Sequence, residues 1–188
     1  MNKQPGSAIL ETEHLLLRPF VADDAEAMFN NWAADPEVTR FLRFTPHASV
    51  EVSRQIIGFW LAEYAKPDYF HWAIVCKADG EVIGSLGILY CDGCGDEPEG
   101  YSAGYCIGRQ WWGKGYTTEA LQAAVRHVLA AGVPVLHCCH AVDNPASGRV
   151  MQKAGFVFCG PTVYHKPDGS EVPALQYILH AAADKTNS

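Results

Sequence analysis

Residues 103–119 read Ala-Gly-Tyr-Cys-Ile-Gly-Arg-Gln-Trp-Trp-Gly-Lys-Gly-Tyr-Thr-Thr-Glu, and the order of residue types in this stretch decides the fold. Tyr101 to Ile107 is rich in β-forming residues and reads as a strand. Gly108, Gly113 and Gly115 punctuate the turn that follows. Gly115 then opens directly onto the most regular helical pattern in the chain, Gly115 to Ala131, with Leu121, Ala124, Val125, Val128 and Leu129 on one face. Gly132 and Pro134 stop that helix. The N–H groups at a helix start lack partners and carry partial positive charge, so a strand–glycine turn–helix unit can hold an anion such as a diphosphate. Gly113 and Gly115 allow close approach and positive φ, and Thr117 and Thr118 add hydroxyl donors. A plain strand-to-helix turn is the competing reading of the same glycines.

On the N-terminal side of this unit the chain changes character once. Residues 14–20 read as a short strand closed by Pro19. Asp23 and Asp24 precede a predicted helix over Ala25–Trp32, and Asp35-Pro36-Glu37 starts a second, to about Leu42. Ser49 opens a longer one to about Ala65. After this helical third come His71–Cys76 and Glu81–Leu89, strands joined by the hairpin signal Lys77-Ala78-Asp79-Gly80. A polar loop over 90–100 leads into the deciding stretch. On the C-terminal side, Val135–Val142 reads as a strand and Asn144–Ala154 as a helix ended by Gly155. Phe156–Tyr164 and Val172–Leu179 are a closing strand pair turned at Lys166-Pro167-Asp168-Gly169. The pattern predicts an α/β fold, a single domain over 1–188 with a core of about 10–180, a mixed sheet of about six to seven strands, and flexible tails at 1–8 and 182–188.

Composition narrows the function classes. The chain has 188 residues, 48% hydrophobic and 19% charged, enough for a sizeable core and unlike a disordered or disulfide-stapled chain. Fourteen Lys and Arg against 21 Asp and Glu give a formal charge of −7, which lacks the basic footprint of a nucleic-acid binder. No apolar run reaches the length of about 18 residues that spans a bilayer, and residues 1–8 lack the layout of a signal peptide. These features predict a cytoplasmic protein with neither a membrane nor a nucleic-acid partner. The seven cysteines cannot all pair internally, and Cys76, Cys106, Cys138 and Cys139 lie in apolar strand-like runs where a thiol acts as a small hydrophobe.

Two other phosphate-binding signatures fail on their own terms. Gly108-x4-Gly113-Lys114 begins like a Walker A loop, but Gly115 replaces the Ser or Thr that would hold Mg²⁺. Gly113-Lys114-Gly115-Tyr116-Thr117-Thr118 lacks the third glycine of a dinucleotide fingerprint. Cys91-x-x-Cys94 with His137-Cys138-Cys139-His140 raises the alternative of a zinc site. Strand alternation lets only His137 with Cys139, or Cys138 with His140, converge, so no metal is expected.

Gln110-Trp111-Trp112-Gly113-Lys114-Gly115 resembles the Gln/Arg-x-x-Gly-x-Gly/Ala signature of the GNAT superfamily of acetyl-CoA-dependent N-acetyltransferases. The longer string through Glu119-Ala120 is similar to its RimJ/RimL-type branch. So are Asn144-Pro145-Ala146-Ser147 followed by Lys153-Ala154-Gly155-Phe156, and the opening Leu10–Phe20. The resemblance implies a GNAT-like sheet whose fourth and fifth strands, here Tyr101–Ile107 and Val135–Val142, splay apart around acetyl-CoA. It implies main-chain bonds from Cys106 and Ile107 to the pantetheine, with Gly104 and Gly108 bracketing a bulge. A diphosphate cradle would be formed by Gln110, Trp111, Trp112, Gly113, Lys114, Gly115, Tyr116, Thr117 and Thr118, and Asn144 would contact the pantetheine.

The reaction so implied is direct attack of a primary amine on the thioester, with Ser147 protonating or orienting the departing sulfur. Asn144, Pro145 and Ser147 are also a well-formed helix start without any catalysis. Branch members often carry Glu just before the Gly-Tyr of the fourth strand, and Ala103 stands there. Glu99, Ser102, His71 and His140 remain as general bases, with Glu99 put forward as catalytic beside Ser147. An amine of low pKa, such as an α-amino group near 7.7–8.0, needs no strong base. The early helices would roof the acceptor, with Trp32, Phe41 and Phe44 lining it and Arg40 and Arg43 reading a carboxylate. The expected partners are acetyl-CoA, an amine acceptor and a second copy in a homodimer. The alternative is a non-catalytic acyl-CoA-binding or sensing domain, which Ala103 favours and the intact Asn144 and Ser147 oppose.

Overall fold

A computed structural model of the protein describes residues 6–92 and 99–181. Its eight strands form one sheet in the order β1-β2-β3-β4-β5-β6-β8-β7. They are β1 (Leu10–Glu11), β2 (Leu15–Arg18), β3 (Phe70–Cys76), β4 (Val82–Cys91), β5 (Gly100–Ile107), β6 (Val135–Ala141), β7 (Val157–His165) and β8 (Glu171–His180). The helices are α1 (Ala25–Met28), α2 (Pro36–Thr39), α3 (Val50–Glu63), α4 (Tyr116–Ala130) and α5 (Pro145–Lys153). The expected strand count of six to seven is corrected to eight. The extra strand, β1, is two residues long, too short for any alternation to show in sequence. The helix expected over Ala25–Trp32 is likewise corrected: one α-turn passes into a π-helical stretch, Phe29–Ala33.

Strand alternation divides the core between the two sheet faces. Phe70, Trp72, Ile74, Ile83, Leu86, Ile88, Ala103 and Ile107 face α4 and α5, and Ala120, Leu121, Ala124, Val125 and Val128 of α4 close on them. Full burial of a Leu or Val side chain contributes about 1.5–3 kcal/mol, so this one stripe anchors α4. Ala73, Val75 and Val82 face the opposite way, towards Met28, Trp32, Val38 and Ile57 of the early helices. Trp32 is fully buried there, so it is a core residue and not a lining of an acceptor pocket. Gly6–Ala8, expected within a flexible tail, are tied down. Ser7 Oγ donates to the Tyr69 carbonyl and accepts from His71 N, both at 2.8 Å, and the Trp72 indole donates to the Ala8 carbonyl.

Every neighbouring pair in the sheet is antiparallel except β5 with β6. That parallel pairing consists of Tyr101 with Leu136 and Ser102 with His137, and then stops. Beyond it the two strands diverge, leaving a gap between Ala103–Ile107 and Cys138–Ala141. The expected bulge in β5 is absent: its ladder with β4 keeps one register from Gly84–Ile107 to Cys91–Gly100. The extra residues fall instead at Ile83 on β4 and Cys159 on β7. The opening therefore comes from divergence of two strands and not from a kink in one.

Candidate active site

The register of β5 determines which of its main-chain groups face the gap. Gly108 N donates to the Ile83 carbonyl at 2.9 Å, and bonds in an antiparallel ladder recur at every second residue. Cys106, Gly104 and Ser102 therefore spend their N–H and C=O on β4, while Ala103, Tyr105 and Ile107 direct theirs towards β6. The Ala103 carbonyl accepts from Cys138 Sγ at 3.1 Å, and the Ile107 carbonyl from the Trp112 indole at 2.8 Å. The amide N–H groups of Tyr105 and Ile107 are thus the ones presented at the open part of the gap. Of the two main-chain contacts expected, Ile107 faces the gap and Cys106 does not. Tyr105 faces the gap instead, and only the strand register identifies it. The Cys106 thiol, pushed up to about 12 by burial, is a neutral packing group.

The turn after β5 is built as the sequence reading requires. Gly113 and Gly115 have φ of 74° and 84°, in the left-handed region that favours glycine, and Gly115 begins α4 with no side-chain cap. The first-turn N–H groups of α4 have no acceptor within the helix. Trp111 is buried against Gly108, and the half-buried Tyr116 packs beside His14. Gln110, Trp112, Gly113, Lys114 and Gly115 are exposed, and Thr117 and Thr118 half-buried. Arg109 Nε donates to Asp35 Oδ2 at 2.5 Å, and the other oxygen of Asp35 caps α2, which ties the turn to the early helices. Beside the turn lies an open depression of about 480 Å³ lined by Gly115, Thr118, Gln122, Arg126 and Lys153 and by the carboxylates of Glu11, Glu13 and Glu119.

At the other side of the gap, α5 begins with Asn144, whose Oδ1 accepts from Ser147 N at 3.3 Å, and with Pro145 in its first turn. Asn144 and Ser147 therefore do form the helix start that their sequence describes. Ser147 also does something a cap does not require. Its Oγ lies 2.9 Å from the Tyr105 hydroxyl, which is 3.2 Å from the Ser147 carbonyl as well. Tyr105 is held well above the ordinary phenol range, first by burial and then by the neighbouring Cys138. The next residue, Gly148, sits flat on His140: a Cβ added there would lie 2.5 Å from His140 Nε2.

The base candidates are scattered. Glu99 precedes β5 at the end where β5 and β6 are paired, and its carboxylate accepts from the Tyr90 hydroxyl at 2.9 Å. His71 is buried, with Nε2 on Ser85 Oγ at 2.9 Å and Nδ1 on Tyr69 OH at 3.2 Å, and burial pushes it down to about 3. His140 bonds the Ala141 carbonyl through Nδ1, and its Nε2 has no hydrogen-bond partner among the described residues. Ala103 points into the core beneath α4, so a carboxylate at that position would be buried among apolar side chains. Phe41 packs with Ala141 and Tyr164, and Arg43 lies 4.8 Å over the Tyr164 ring. Cys94 falls outside the described residues, and no group of three or more His, Cys, Asp or Glu side chains converges among those described.

Similarity to known proteins agrees with this geometry. The model of the acetyltransferase (GNAT) domain matches residues 14–157. An uncharacterized N-acetyltransferase of Bacillus licheniformis, p20, is 34% identical over 116 residues, which are 62% of this chain and 63% of that relative. The chain thus spans a little under two thirds of that relative's length. The uncharacterized N-acetyltransferase YoaA of Bacillus subtilis is 30% identical over 149 residues, 79% of this chain and 82% of the relative. In fold, the structure is similar to the Microcin C7 self immunity acetyltransferase MccE, solved in complex with acetyl-CoA and AMP. The TM-score is 0.74 at 17% identity, over 90% of this chain and 93% of the other. No helix among the described residues is long and apolar enough to cross a membrane. From the match over most of its length, and from these relatives, the chain belongs to the GNAT family of N-acetyltransferases.

Proposed function

We propose that the protein transfers the acetyl group of acetyl-CoA to a primary amine, by direct attack in a ternary complex, as a RimJ/RimL-like member of its family. The observation that carries this reading is the gap that opens after Ser102 and His137, with an uncapped helix start on one side and a positioned serine on the other. The exposed turn residues and the first-turn N–H groups of α4 suit a diphosphate. The Tyr105 and Ile107 amides suit the pantetheine arm and, at the thioester, the oxygen that becomes negative during attack. On this reading Ser147 donates to the departing sulfur.

The acceptor on this reading is an amine that reaches the site neutral, either a protein α-amino group or a small-molecule amine. His71 is buried with both ring nitrogens bonded, to Ser85 and Tyr69, whereas the Glu99 carboxylate accepts one hydrogen bond from Tyr90 and keeps lone pairs for a proton. The sensing-domain alternative drew on Ala103, which faces the core beneath α4.

Thermal unfolding with and without millimolar acetyl-CoA tests the binding step. A ligand at a hundred times its Kd stabilises by about 2.7 kcal/mol, which raises the midpoint by several degrees for a domain of this size. Release of free thiol from acetyl-CoA with a panel of peptide α-amines and small primary amines tests the transfer. A shift followed by amine-dependent thiol release is expected. No shift in folded protein overturns the reading, and a shift without release by any amine leaves a binding domain.

A further inference from the structure

Tyr105 places two different groups at the same part of the gap. Its amide N–H faces the space that β6 vacates, and its side chain turns under α5 to meet Ser147. The hydroxyl has one proton and two acceptors within reach, the Ser147 carbonyl at 3.2 Å and Ser147 Oγ at 2.9 Å. These choices have opposite consequences for the serine. If Tyr105 donates to the carbonyl, its oxygen is left to accept, and the serine proton turns inward to it. If Tyr105 donates to Oγ, the serine keeps its own proton free to turn into the gap. The Ser147 carbonyl lies in the first turn of α5, where the helix already offers it the N–H four residues on, so it does not depend on the tyrosine.

We propose that Tyr105 is a positioning residue for acetyl transfer: its hydroxyl donates to Ser147 Oγ and thereby aims the serine O–H at the thioester sulfur. The inference rests on the acetyl-transfer reading given above. In the step concerned, the amine nitrogen forms a bond to the acetyl carbon, the C–S bond breaks, and its electron pair passes to sulfur. The serine O–H stabilises that developing thiolate. The proton the thiolate finally takes up is the one the nitrogen loses on becoming an amide. No proton leaves Tyr105, which agrees with a buried phenol held in its protonated form.

Tyr105→Phe and Ser147→Ala, singly and together, test this through steady-state kinetics with acetyl-CoA and an accepted amine. Tyr105→Phe keeps the ring and its packing, so its unfolding midpoint stays within a few degrees of the wild type. Loss of one aimed hydrogen bond in the transition state should lower kcat about tenfold and leave the KM for acetyl-CoA within about twofold. The double variant should be no slower than Ser147→Ala alone, because the tyrosine acts only through the serine. A Tyr105→Phe enzyme with full kcat, a change in KM alone, or losses that multiply in the double variant would each overturn the assignment of Tyr105. A wild-type protein that cleaves acetyl-CoA with no amine would overturn the transferase reading itself, and this inference with it.

Discussion

Helix α4 begins at Gly115 in the left-handed region with no side-chain cap, whereas α5 begins at Asn144, whose carbonyl oxygen takes up the Ser147 amide. The two helices flank one gap, yet only one of them has a side-chain cap at its start. A glycine at the helix start forgoes a few tenths of a kcal/mol of stability that Ser, Thr, Asp or Asn would supply. That omission is intelligible if a ligand supplies the missing acceptors. The capped start does the opposite service, fixing Ser147 in place whether or not a ligand is bound. Groups left unsatisfied should thus govern affinity, and groups satisfied internally should govern stability.

The largest effect expected from this contrast is at Gly115. Gly115→Asp puts a carboxylate where the diphosphate is proposed to sit, and also forces a side chain into a positive-φ position. Affinity for acetyl-CoA measured by calorimetry should fall at least about a hundredfold, or ~2.7 kcal/mol. Unchanged affinity would make the start of α4 a plain turn and dissolve the contrast.

A smaller effect sits at His71, which is satisfied internally by Ser85 and Tyr69. Its folded pKa is pushed below the unfolded value, to about 3, by burial. The unfolded chain therefore binds the extra proton first, and stability falls as pH drops from about 6.5 towards 3. His47, lowered for the same reason, acts in the same direction. Between pH 7 and 5.5, above the range where carboxylates titrate, urea unfolding should show a loss of about 1 kcal/mol from His71 alone. A flat profile over that window would mean that His71 is not buried as a neutral group.

The smallest effect belongs to Asn144. Replacing it with Ala removes one capping bond and should cost about 1 kcal/mol or less in unfolding free energy. On the contrast drawn above, acetyl-CoA affinity should change less than about threefold, under ~0.7 kcal/mol. An affinity loss approaching that of Gly115→Asp would show that the Asn144 side chain serves the ligand more than the helix.

Much of this arrangement was legible in residues alone, and what escaped has a physical reason. The β5–turn–α4 unit and the Asn144–Ser147 helix start were readable because each depends on local chemistry: glycine where φ is positive, an amide cap, proline at a helix entry. The partnership of Tyr105 with Ser147 joins residues 42 positions apart across a gap in the sheet, and no spacing rule reports it. The exchange of Cys106 for Tyr105 at the gap is a matter of strand phase. A one-residue error in phase reverses every main-chain group, and the phase is fixed by the β4 partner, not by β5 itself. An aromatic in the early helices reads as core or as acceptor lining, and only the packing against the sheet decides for core at Trp32.

Gly148 sets a length. Because it lacks a side chain, α5 rests with its backbone against the His140 ring, and a single added carbon would meet Nε2 at 2.5 Å. The ring is itself tied to the Ala141 carbonyl at 2.8 Å, so the helix would have to yield and would carry Ser147 with it. The reach of the serine across the gap is thus calibrated by an atom that is missing one residue further on. Sequence drift at position 148 would be constrained by the ruler it provides, although the residue itself offers nothing for a substrate to touch.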